Sequence, residues 1–288
     1  MENYIFFAII SVFFAGFYNF AMKIISQRGY NTSFVSIISY SSAVFLGLVF
    51  YLYNNFGNYV FSDLGIMILL AILNTIFYFL STIYRVKSLD NMDTTLVFPL
   101  YKTFSPILIT IISLFIFGES LNFKETLGII VGIIVPLLLI TKTENNIQKN
   151  LKLGIIFVIA TSIFGAISNG FNKAIYNFEI NVDLFVLLSL IAGTFISIFS
   201  YKVFDKKEKK LYSKKGIYKF GVLLGFFHFM SFYTFTLAVK GNLAIAYTIN
   251  SFSILIPIIL SVIFYKENMT YKKAFVIFLS IISMLLFI

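Results

Sequence analysis

Residues 94–140 read TTLVFPLYKTFSPILITIISLFIFGESLNFKETLGIIVGIIVPLLLI. Two long apolar runs flank a short polar turn. As a helix, the first run, 94–117, extends about 36 Å at about 1.5 Å per residue, enough to cross a bilayer core of roughly 30 Å. Pro99, Lys102, Ser105 and Pro106 lie inside it. Prolines and a cation are costly within a span and are tolerated where protein or a polar cavity surrounds them. The run ends at Gly118, Glu119 and Ser120. Asn122 then stands at the N-cap of a second helix, and Glu125 completes a capping box. Gly128 and Gly132 give that helix a small-xxx-small face suited to close packing.

The same pattern returns at 242–265, with Asn250, Ser253 and Pro257 inside the run, Glu267 just after it and Thr270 at the next N-cap. A shift of 148 pairs Phe104 with Phe252, Ser105 with Ser253, Ser113 with Ser261, Glu119 with Glu267 and Lys124 with Lys272. Lys102 then falls on Asn250. A shift of 150 pairs Asn19 with Asn169, Lys23 with Lys173, Phe77 with Phe227, Phe79 with Phe229 and Ser81 with Ser231. The chain is an internal repeat.

Composition sets the class. Of 288 residues, 59% are hydrophobic and 12% charged, against about 45–50% and about 25% in soluble domains. This is an integral membrane protein. With no Cys and a single His, His228, thiol chemistry and a His-cluster metal site are excluded, and no cofactor or metal is expected. The net charge of +10 sits in loops between apolar runs, the ordinary pattern of a cytoplasmic membrane face, so nucleic acid is not an expected partner. Met1–Tyr4 has no basic n-region, and no signal peptide is expected.

Apolar runs fall at about 4–22, 34–53, 64–84, 94–117, 123–141, 153–171, 184–204, 216–239, 243–265 and 271–288, which predicts an all-α fold of ten transmembrane helices. The polar segment 145–152 divides them five and five, giving a first repeat over 1–145 and a second over 151–288. An odd number of spans per half requires inverted halves, the signature of secondary transporters that bind substrate near the midplane. Lys124, Lys173 and Lys240 lie on one side and Lys102 within a span; the other eighteen of the 22 cationic residues, Arg85 and Lys87 among them, fall in the opposite set of loops. The positive-inside rule makes those loops cytoplasmic and places both termini outside.

The ends of runs one and six (NFAMK, NGFNK), with SPILITIISLFIFGESLNFKETLGIIVGII and AVKGNLAIAYTINSFSILIPIILSVIFYKENMTYKK, resemble the drug/metabolite transporter superfamily and its EamA-like branch. The resemblance covers nearly the whole chain. Lys87, in place of a usual small residue, and the serines Ser280 and Ser283, in place of glycines in the last run, depart from the pattern. The resemblance implies a carrier of the plasma (cell inner) membrane that moves small organic metabolites, often amino acids or related compounds, by alternating access; efflux is the preferred direction.

Lys102 is the leading candidate site residue. Its default readings are a subsite for a substrate carboxylate or an ammonium that snorkels to the interface. Pro106 frees the Lys102 carbonyl on the same face. Asn250 is its repeat partner, with Tyr247 on its face. Asn19 and Asn169, then Asn74, Tyr78 and Tyr84 of run three, and His228 and Ser231 of run eight, either line the cavity or hydrogen-bond between helices. Phe98 and Tyr101 are expected to enclose the apolar part of a substrate. Glu119 is expected to pair with a lysine or cap the next helix. The expected partners are a small anionic or zwitterionic molecule and the lipid bilayer, and a homodimer stays open. A multidrug or cation exporter, a channel, and a receptor or scaffold without transport are the competing readings. An enzyme is disfavoured because no catalytic groups cluster.

Overall fold

The computed structural model describes residues 3–28, 30–56, 63–92, 94–140, 150–204, 214–265 and 270–288. Lys142, Lys149, Glu267, the linker 145–149 and residues 206–213 of the lysine-rich loop lie outside the described residues, as does the side chain of Lys23.

The helices are α1 (Asn3–Gln27), α2 (Thr32–Asn54), α3 (Leu64–Asn91), α4 (Thr94–Phe115), α5 (Phe123–Leu138), α6 (Leu151–Asn177), α7 (Val182–Phe204), α8 (Lys214–Ala238), α9 (Leu243–Ser251), α10 (Leu255–Tyr265) and α11 (Tyr271–Leu285). A 3₁₀ turn, Phe252–Ile254, joins α9 to α10, and no strand occurs among the described residues. Among the described residues, eight segments are long and apolar enough to cross a membrane: α1–α4, α6–α8 and the combined α9–α10 unit. The fifth and tenth runs instead form helices of 16 and 15 residues. At about 1.5 Å per residue these are only about 24 and 22 Å long.

Local chemistry sets the boundaries. Asn122 Oδ1 accepts from Glu125 N at 2.9 Å, and Glu125 Oε2 accepts from Asn122 N at 2.7 Å, so the expected capping box is formed. Its repeat partner Thr270 accepts from Lys273 N at 3.3 Å. The shift of 150 recurs in the caps of α2 and α7: Asn31 accepts from Phe34 N at 2.8 Å and Asn181 from Leu184 N at 3.0 Å. The ninth run is not the single helix expected. Pro257 has no N–H for Ser253, and the chain tightens into the 3₁₀ turn just before it. α4 stays continuous through Pro99 and Pro106.

Packing follows the repeat. α3 lies on α6 and α1 on α8; α2 lies on α8 and α7 on α3; α4 lies on α6 and the α9–α10 unit on α1. α2 also meets α7, α4 meets α9, and α5 meets α11. Exchanging the halves interchanges the first six of these pairs two by two and maps each of the last three onto itself. The α9 helix is the most enclosed, with Leu243–Ile249 all buried against α1, α4, α5 and α8. Glycines permit the close approaches. A Cβ on Gly225 of α8 would lie 2.5 Å from the Ser39 carbonyl oxygen of α2, and one on Gly132 would strike Thr248 of α9.

Candidate functional site

α4, with Pro99 and Pro106, and the α9–α10 unit, with Pro257, meet across the repeat boundary, and polar residues of both converge there. Tyr101 and Tyr247 hydroxyls are 3.4 Å apart. Lys102 Nζ donates to Ser253 Oγ at 3.2 Å, within the 3₁₀ turn between α9 and α10. Asn250 Nδ2 donates to Ser11 Oγ of α1 at 3.0 Å. Lys102 and Asn250, partners under the shift of 148, thus stand on either side of one junction.

Arg85 completes the cluster. The third run was expected to end at residue 84, with Arg85 in a loop; α3 instead continues to Asn91 and carries Arg85 inside the helix. The Arg85 guanidinium carbon lies 5.6 Å from the Tyr101 ring centroid, and Lys102 Nζ lies 5.9 Å from the same centroid. Arg85 also donates to Thr82 Oγ1 at 3.3 Å and lies near the Tyr18 and Tyr78 hydroxyls. The two cations are therefore at most about 12 Å apart, where unit charges repel by about 1.4 kcal/mol or more at an effective dielectric of about 20. Among the described residues, neither forms an ion pair, and their partners are hydroxyls and one aromatic ring. Each cation–π contact stabilises by about 0.5–2 kcal/mol. The guanidinium presents a planar fork and the ammonium a point charge, two complementary ways to hold an anion.

The other expected site residues divide. His228 sits against the Tyr40 ring, centroids 4.7 Å apart and edge-on, with Tyr18 at 5.4 Å. Its Nδ1 is buried and makes no hydrogen bond among the described residues. Ser231 lies partly buried one turn further along α8. Asn74 turns to helix packing: it donates to the Ser168 carbonyl and to Asn172 Oδ1, each at 2.8 Å, joining α3 to α6. Asn169 donates back to the Gly165 carbonyl of its own helix at 2.7 Å. Tyr84 stacks on Phe164 with the Lys87 ammonium 5.3 Å from its ring centroid. Asn19 and Phe98 are exposed.

A second polar assembly lies at the far end of α4. Glu119 forms an ion pair with Lys173 of α6 at 2.5 Å, accepts from Leu243 N at 2.9 Å and accepts from Ser113. Lys173 also donates to the Gly241 and Lys240 carbonyls at 2.5 and 3.3 Å. Glu119 thus both pairs with a lysine and caps α9, fastening the ends of α4 and α6 to the α8–α9 turn. Among the described residues no three His, Asp or Glu gather to hold a metal. An open recess of about 690 Å³, lined by Tyr4, Lys124 and Phe287 among others, lies apart from the Arg85–Lys102 cluster.

No curated protein matches the chain. A solved structure described only as "Crystal structure of protein" shares its fold, with a TM-score of 0.81 at 14% identity over 99% of this chain and 96% of that one. The model of the EamA-like transporter family matches twice, over residues 3–141 and 152–288, one match to each half of the internal repeat. A chain of apolar helices whose halves pack as equivalents, matched in both by the same family model, belongs to the EamA-like transporter family of the drug/metabolite transporter superfamily.

Proposed function

We propose that this chain is a secondary transporter that moves a small anionic or zwitterionic metabolite, an amino acid or related compound, across the plasma membrane by alternating access. The carrying observation is the junction of α4 with α9–α10, where Lys102, Tyr101, Tyr247 and Asn250 gather beside Arg85. The shorter α5 and α11 complete the crossings, giving ten transmembrane helices in two inverted five-helix repeats with both termini outside. Efflux is the preferred direction, on family resemblance alone. Two cations without carboxylate partners among the described residues oppose a cationic substrate, because the site would repel it.

The test is flux in proteoliposomes. A carrier shows saturable uptake and counterflow of a labelled anionic or zwitterionic metabolite, and Lys102→Ala lowers that flux at least tenfold. Non-saturating flux without counterflow marks a channel. Absence of flux for every such metabolite refutes transport of this class.

A further inference from the structure

We infer that the cluster built on Arg85, Tyr101 and Lys102 selects a small organic dianion, either a dicarboxylate or a phosphate monoester, over the matching monoanion. This deepens the proposed function and rests on it. The argument is charge balance inside a poorly solvated bundle. Arg85 lies in α3 and Lys102 in α4, both partly buried. Both cations lie within cation–π range of one ring, at 5.6 and 5.9 Å. The groups around them are neutral: Thr82 and Ser253 accept hydrogen bonds, and Tyr18 and Tyr78 stand near the guanidinium. Among the described residues, no carboxylate pairs with either. Unpaired charges away from water are unfavourable, and a ligand that neutralises them gains what a paired protein side chain would have supplied.

A monoanion neutralises one cation and leaves the other exposed to a low dielectric. A dianion neutralises both, and the two cations, 5.6 and 5.9 Å from the Tyr101 ring centroid, are at most about 12 Å apart, a span that a small molecule charged at both ends reaches. The two donors suit different ends of such a ligand. The Arg85 fork takes a planar carboxylate or phosphate edge through two hydrogen bonds, whereas the Lys102 ammonium acts as a rotatable point charge. Tyr247 extends the same junction, its hydroxyl 3.4 Å from that of Tyr101 and available to a hydroxyl or ester oxygen between the charges.

The test compares ligands matched in size and differing by one charge. Purified protein is titrated with succinate against succinamate, and with glycerol 1-phosphate against its methyl phosphodiester, reading the thermal unfolding midpoint; a ligand bound to the native state raises it by mass action. The expected result is at least tenfold tighter binding of one dianion than of its partner, about 1.4 kcal/mol. The pair that shows the preference distinguishes dicarboxylate from phosphate monoester. Arg85→Gln and Lys102→Gln each reduce the preference to less than threefold, and Arg85→Lys restores part of it. Should Arg85→Gln fail to yield monodisperse protein, Lys102→Gln and Arg85→Lys decide the matter. Equal binding of succinate and succinamate with no phosphate preference overturns the inference, as does absence of stabilisation by any dianion at about 10 mM. Saturable counterflow of a monoanion or zwitterion with no dianion preference overturns this inference and leaves the carrier reading intact. Absence of flux for every probe overturns the carrier reading itself.

Discussion

Removing the Lys173 ammonium while leaving Glu119 in place tests the assembly at the end of α4. The two side chains are 10% and 11% exposed, and Nζ approaches Oε1 to 2.5 Å. Breaking a buried pair from one side leaves an uncompensated charge and costs about 3–5 kcal/mol. Lys173→Met also forfeits the bonds to the Gly241 and Lys240 carbonyls, which the turn can return to water. Glu119→Gln keeps an acceptor for Leu243 N and Ser113, so its cost is smaller, about 1–3 kcal/mol. With both changes no charge remains buried there, and the double variant is expected to be less destabilised than the sum of the singles by about 2 kcal/mol. The assay is equilibrium unfolding of wild type, both singles and the double in mixed micelles. Strict additivity, or a Lys173→Met variant within about 0.5 kcal/mol of wild type, refutes the reasoning, because both require that the pair is already screened by water.

Two further outcomes follow from local geometry. Asn122→Ala removes the α5 cap and is expected to cost about 1 kcal/mol in the same unfolding measurement. Gly225→Ala places a Cβ against the Ser39 carbonyl and Ser42 of α2, so a loss of about 1–3 kcal/mol is expected, while Gly65→Ala, which has open space around it, is expected to be tolerated.

The sequence by itself determined the features that depend on neighbours along the chain. Apolar runs near bilayer length specify membrane helices, Asn122 with Glu125 specifies a cap, and the pairing of NFAMK with NGFNK specifies the repeat. Each is a short-range pattern governed by hydrogen bonding within one helix or by transfer from water to lipid. The tertiary structure decided what a polar residue inside a span does. Asn74 and Lys102 look alike as costly polar groups in apolar runs, yet Asn74 bonds to α6 while Lys102 crosses to Ser253. Arg85 shows the limit most plainly. Composition turns polar at RVKSLDN, so apolar patterning ends the run at Tyr84 and counts Arg85 as a loop cation. The helix continues because its backbone hydrogen bonds do not depend on side-chain polarity, and α4 then brings Tyr101 to within 5.6 Å of the guanidinium. Contacts between helices depend on crossing angle and rotation, which arise from the packing of all the helices together, so no single run of residues encodes them.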